Sequence, residues 1–158
     1  PVTGQFGLYG GRSFSIHDDN GAEIYDSGNL TEEIAAEFGY YPDNRSGNKG
    51  TEPEAIEYFK LGKKGEKRHF IAVALERCYN NSDPDELGSI VPVFEIIDLE
   101  AENNDDRVAH VGTFVAPESH RPEGLFFVKD SKRSGTMLIA NEDSGTLDSF
   151  AFSLSDLG

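Results

Sequence analysis

Short stretches in which apolar and polar residues alternate, separated by Gly, Asn, Asp and Pro, run through most of the chain and predict β-strands joined by turns. From Arg12 to His17, Phe14 and Ile16 share one face, and Ser13, Ser15 and His17 share the other. Asp19-Asn20-Gly21 follows, and Asn-Gly supplies the two positive-φ positions of a type I′ hairpin turn, so Ala22–Tyr25 is the expected return strand. Residues 30–38 break the pattern. Leu30, Ile34, Ala35 and Phe38 form one apolar stripe at helical spacing. Asn29 stands at the N-cap with Glu32 three residues on, a capping-box pattern, and Gly39 stands just beyond the C-terminus. A polar surface loop is expected over Tyr41–Thr51.

Seven further strands are predicted: Ala55–Leu61, His69–Leu75, Ile90–Leu99, Arg107–Val115, Gly124–Val128, Thr136–Ala140 and Leu147–Leu154. Gly62–Arg68 and Asp130–Gly135, rich in Lys, Gly and Ser, fit hairpin loops, while Asn80–Gly88 and Glu100–Asp106 read as solvated acidic loops.

Part of this series repeats. Glu52-Pro53-Glu54-Ala55-Ile56 matches Arg121-Pro122-Glu123-Gly124-Leu125, and the strand Phe70–Leu75 closed by Glu76 matches Met137–Asn141 closed by Glu142. The alternating strand 91–99 matches 147–157, both ending in Asp-Leu. Three elements recurring in order, at offsets of 69, 66 and 58 residues, are the signature of radially repeated sheets. The expected fold is therefore all-β: a partial β-propeller of about two and a half four-stranded antiparallel blades, with one short helix in a connection. Residues 1–28 would end one blade, 29–51 would be helix and loop, and 52–117 a complete blade. Residues 118–158 would form a last blade lacking its outer strand. Such a set cannot close a ring. The expected partners are the remaining blades, from a separate or processed chain, or further copies of this one. The start at Pro1, without Met, adds to the expectation of a processed product or a piece of something longer.

Composition narrows the partners. Leu, Ile, Val and Phe make up 39 of 158 residues, enough to fold despite a net charge of −15. That charge and a pI near 4.5 argue against nucleic acid and against docking on anionic lipid. No apolar run approaches the roughly 18 residues of a membrane span. The single Cys78 cannot form a disulfide within the chain.

Four carboxylates occupy repeat-equivalent places: Glu54 and Glu123 at the starts of first strands, Glu76 and Glu142 at the ends of second strands. Antiparallel pairing brings a start beside an end, so these glutamates are expected to converge on a central channel as ligands for Ca²⁺ or another hard cation. The competing reading is that each accepts backbone N–H bonds or pairs with Arg77, His120 or Arg121. His120 with Arg121 is the best candidate for an oxyanion site. Asp83, Asp85 and Glu86 read as a solvated acidic loop with at most weak Ca²⁺ affinity. No serine-hydrolase, zinc-protease, phosphate-loop or zinc-finger motif is present. Asn29, Asn44 and Asn80 begin glycosylation sequons, where roughly one would arise by chance.

Several segments carry a resemblance. Gly11-Arg12-Ser13-Phe14-Ser15-Ile16 with Asp26-Ser27-Gly28, then Lys49–Ile56, Leu75-Glu76-Arg77, Pro122–Leu125 and Ala140–Thr146 resemble, in order, segments of the secreted propellers called choice-of-anchor I proteins. The resemblance implies the C-terminal part of a longer propeller, similar to mesenchyme-specific cell-surface glycoproteins and to bacterial relatives labelled alkaline phosphatase or phytase-like. It carries over the positions of Glu54, Glu76, Glu123 and Glu142. This chain departs at Ala55, where the family usually has Gly, and at Ser119-His120-Arg121. The implied function is an extracellular or cell-surface non-catalytic binding or assembly module, cation-stabilised by Ca²⁺. The alternative is a metal-dependent phosphoesterase.

Overall fold

The structure is a computed structural model and describes residues 11–79 and 88–157. Among the described residues, nine strands form three antiparallel sheets. β1 (Ser15–His17) pairs with β2 (Glu23–Asp26). β3 (Pro53–Lys63), β4 (Glu66–Leu75), β5 (Ser89–Ile96) and β6 (Val108–Ala116) follow in meander order, as do β7 (Pro122–Lys129), β8 (Ser134–Asn141) and β9 (Thr146–Ser153). The one α-helix among the described residues, α1 (Leu30–Glu37), lies in the connection from β2 to β3. Sheets of two, four and three strands stacked in chain order make the chain an all-β partial propeller.

The period-2 pattern explains the stacking, because successive residues of a strand face opposite sides of its sheet. Along β4, Phe70, Ala72 and Ala74 enter the core shared with β7–β9, while Ile71, Val73 and Leu75 enter the core shared with β1, β2 and α1. The inner strands β4 and β5 are thus buried on both faces along Phe70–Leu75 and Ser89–Glu95. The first core is an aromatic cluster: Phe59 stacks on Phe127 at 3.9 Å between ring centres and meets Phe152 edge-on at 5.3 Å. Pro92 stands in the central strand β5, and without an N–H it interrupts the β4–β5 pairing between Val93 and Ile90.

Three local expectations need correction. The first hairpin forms, but Gly21 alone has positive φ (82°), so its turn is not type I′. The Asp18 carboxylate instead accepts the N–H groups of Asn20 and Ala22 at 2.8 Å, favouring a turn that leaves Asn20 outside the left-handed region. Asn29 is the N-cap residue but makes no side-chain cap bond. Glu32 is drawn away by Arg12, whose Nη1 donates to it at 3.1 Å, because a charged donor outcompetes a backbone N–H. The predicted loop Gly62–Arg68 is mostly strand, since pairing continues through Gly62↔Lys67 and Lys63↔Glu66, whereas Asp130–Arg133 forms the expected hairpin loop and only Ser134 and Gly135 belong to β8. The helix stop holds as predicted. Gly39 is left-handed (φ 79°), its N–H donates to Ala36 and that of Tyr40 to Ala35 at 2.8 Å, a complete Schellman closure.

Candidate functional site

The two longer sheets begin with the same backbone device. Glu52 and Arg121, each just before a proline, have left-handed φ angles of 49° and 57°, and no other non-glycine among the described residues does. That conformation costs on the order of 1 kcal/mol for a side-chain-bearing residue. It turns each carbonyl back toward the neighbouring strand. Glu52 accepts the N–H of Glu76, and Arg121 accepts that of Glu142, both at 2.9 Å. One residue past each proline the register slips: Pro53 faces Leu75 while Ala55 faces Ala74, and Pro122 faces Asn141 while Gly124 faces Ala140. Glu54 and Glu123 are the extra residues of these bulges, which aim a side chain away from the pleat.

The charges at this corner are paired across the repeat. Glu52 is 4% exposed and is met by Arg45 at 2.9 Å, Lys49 at 3.0 Å and Arg77 at 3.0 Å. Arg121 is held by Asp143 at 2.9 Å and reaches Glu76 of the preceding sheet at 3.9 Å. Arg77 also meets Glu76 at 2.9 Å. Burial works to raise the Glu52 carboxyl, but Lys49, Arg77 and Arg45 outweigh it and hold it below its ordinary value. Burial pushes the Glu76 carboxyl up, aided by the charges of Glu52 and Glu54 and opposed by Arg77. The exposed Glu123 carboxyl is also raised, first by its hydrogen bond with Glu142, then by desolvation and the charges of Glu142 and Glu54.

The four glutamates singled out by repeat position therefore share one neighbourhood in different states. Glu76 is buried and held by arginines, whereas Glu54, Glu123 and Glu142 are exposed. Among the described residues, no three His, Cys, Asp or Glu side chains are arranged to hold a metal ion. A cavity of about 220 Å³ opens beside Glu76, lined by Arg45, Arg77, Arg121, Cys78 and Tyr79 among others. His120 is not part of that lining; its N–H donates to Ser144 Oγ at 3.2 Å. Asp83, Asp85 and Glu86 lie outside the described residues, as does Asn80, while Asn29 and Asn44 are exposed.

Glu52 and Arg45 were not singled out from the sequence. The signal for Glu52 was present: the residue before proline reverses charge between the repeats, from Glu52 to Arg121, as does the residue after the second-strand glutamate, from Arg77 to Asp143. Arg45 arrives from a 3₁₀ turn, Asp43–Arg45, with no counterpart in the repeat.

No helix among the described residues is long and apolar enough to cross a membrane. No curated protein and no solved structure matches the chain. Residues 2–99, more than half of the sequence and reaching just past β5, match the choice-of-anchor I domain. The chain belongs to the choice-of-anchor I domain family.

Proposed function

We propose that this chain is a non-catalytic assembly or binding module of an extracellular or cell-surface β-propeller, completed by further blades. The observation behind this reading is the outer face of the β7–β9 sheet. Phe126, Val128 and Leu147 are exposed at 62%, 39% and 66%, and Phe126 faces Leu138 while Leu147 faces Ala140 across the pairing. The inner strands β4 and β5 of the middle sheet have neighbouring layers on both faces; this sheet has one on a single face. Burying such a side chain is worth about 1.5–3 kcal/mol, so an apolar sheet face favours a partner. On the opposite flank, Ile56 and Tyr58 of β3 are exposed at 55% and 49%.

Sedimentation velocity on the chain and on a Phe126→Asp/Leu147→Asp variant tests the reading. The chain is expected to self-associate and the variant to be monomeric with unchanged secondary structure. A native chain that stays monomeric and unfolds in one sharp transition overturns it.

The calcium role rests on the exposed Glu54, Glu123 and Glu142, where the Glu123 carboxyl is raised first by its hydrogen bond with Glu142, then by desolvation and the charges of Glu142 and Glu54. Calcium is expected to raise the melting temperature, and Glu123→Gln/Glu142→Gln to abolish the rise. The second reading, a metal-dependent phosphoesterase, draws on Arg45, Arg77 and Arg121 lining one cavity. Metal-dependent hydrolysis of p-nitrophenyl phosphate, lost in Glu123→Gln, would support it, and its absence rules it out.

A further inference from the structure

Eight of the 14 Lys and Arg residues lie in two short stretches, 60–68 and 129–133, which contain only two acidic residues, Glu66 and Asp130. In a chain of net charge −15 this is a marked segregation of charge. The fold joins the two stretches. They are the ends of the β3–β4 and β7–β8 hairpins, and the Gly62 N–H donates to the Lys132 carbonyl at 2.5 Å while the Lys129 ammonium donates to the Lys60 carbonyl at 3.1 Å. Arg68 is taken up by Glu95 through two bonds of 2.6 Å. Lys63, Lys64, Lys67, Lys129, Lys132 and Arg133 are exposed.

This basic end lies far from the acidic corner. β3 has 11 residues, from Pro53 to Lys63, a rise of roughly 35 Å at strand geometry. Screening in physiological salt acts over about 8 Å, so the corner glutamates do not neutralise the hairpin ends.

We propose that the joined β3–β4 and β7–β8 hairpin ends bind a polyanionic polysaccharide chain bearing sulfate or carboxylate groups. Residues 62–68 and 129–135 contain no aromatic or large apolar side chain. They therefore offer neither stacking platforms for nucleobases nor an apolar wedge for a bilayer. A flat anionic surface would also meet the acidic remainder of the molecule. A flexible polyanion touches the two hairpin ends alone, and lysines act toward its regularly spaced anions as point charges.

The test uses the full chain with heparin as the probe, beside polygalacturonate, phosphatidylserine vesicles and single-stranded DNA. Heparin or polygalacturonate is expected to bind with an affinity that falls steeply with salt. The variant Lys64→Glu/Lys132→Glu/Arg133→Glu should lose about tenfold or more with an unchanged melting temperature, because each lost cation removes a counterion-releasing contact. The variant Lys64→Arg/Lys132→Arg should retain binding. The proposal is overturned if neither polysaccharide binds at low salt, if the charge-reversed variant binds as well as the native chain, or if vesicles or DNA bind more tightly than both polysaccharides.

Discussion

Glu52 and Arg121 hold the same backbone position in successive sheets with opposite charge, and each ion-pairs within its own sheet to a residue whose charge is reversed in step, Arg77 and Asp143. The repeat-equivalent glutamates, Glu76 and Glu142, donate the same backbone N–H bond to their carbonyls. The Arg121 guanidinium also reaches across to Glu76, so this position adds an electrostatic contact between the sheets to their shared apolar core.

Glu52→Gln is expected to destabilise the fold by about 2 kcal/mol. That lies below the range for breaking a fully buried pair because Arg45, Lys49 and Arg77 are partly in water. The Glu52 carboxyl is depressed in the folded state, so its contribution is present above the ordinary value of 4.5 and is lost progressively as pH falls from there through the lower folded value. Urea unfolding across that range should show the acid-side loss shrinking in the variant. An equal loss in both proteins contradicts the assignment.

Glu76→Gln should behave in the opposite sense. Its carboxyl is raised, so its unfavourable contribution is absent below 4.5 and grows as pH rises through the higher folded value. At pH 7 the variant is expected to melt at or above the native temperature, and this advantage should vanish in acid. A clear fall in melting temperature at pH 7 would mean that the ion pair with Arg77 outweighs burial and the repulsion from Glu52.

Phe59→Ala removes the ring that stacks on Phe127 and meets Phe152 edge-on. It should cost about 3–5 kcal/mol, the range for a large aromatic lost from a packed core. Hydrogen exchange should show β7–β9 losing protection together with β3. If β7–β9 keeps its protection, the two sheets do not depend on this cluster.

Cys78 is 2% exposed, and burial pushes its thiol well above the ordinary value, leaving almost no thiolate at neutral pH. A disulfide reagent should label it at the rate of unfolding in native buffer and rapidly in denaturant. Fast labelling of the native chain would contradict this environment.

Strand order, the single helix and the repeat are legible in the sequence because they depend on local chemistry. An unbroken apolar run, Phe70–Leu75, marks a strand of the interior, proline sets the start of β3 and β7, and Gly39 ends the helix. Where local rules failed, a distant group had intervened: Arg12 drew Glu32 from its capping role. At Asn20 the competitor was nearer, an aspartate side chain two residues back. The positions of Glu54, Glu76, Glu123 and Glu142 were likewise readable, but their states were not. Burial, the approach of Arg77 and Arg121, and the bulges at Glu54 and Glu123 depend on how one sheet meets the next. The tertiary structure alone decided that Glu52 is an ion-pair centre, that Arg121 reaches Glu76 of the preceding sheet, and that two lysine-rich hairpins lie side by side. Local sequence governs the backbone because its forces act over a few residues. Charge, exposure and adjacency depend on surfaces that exist only once the sheets have stacked.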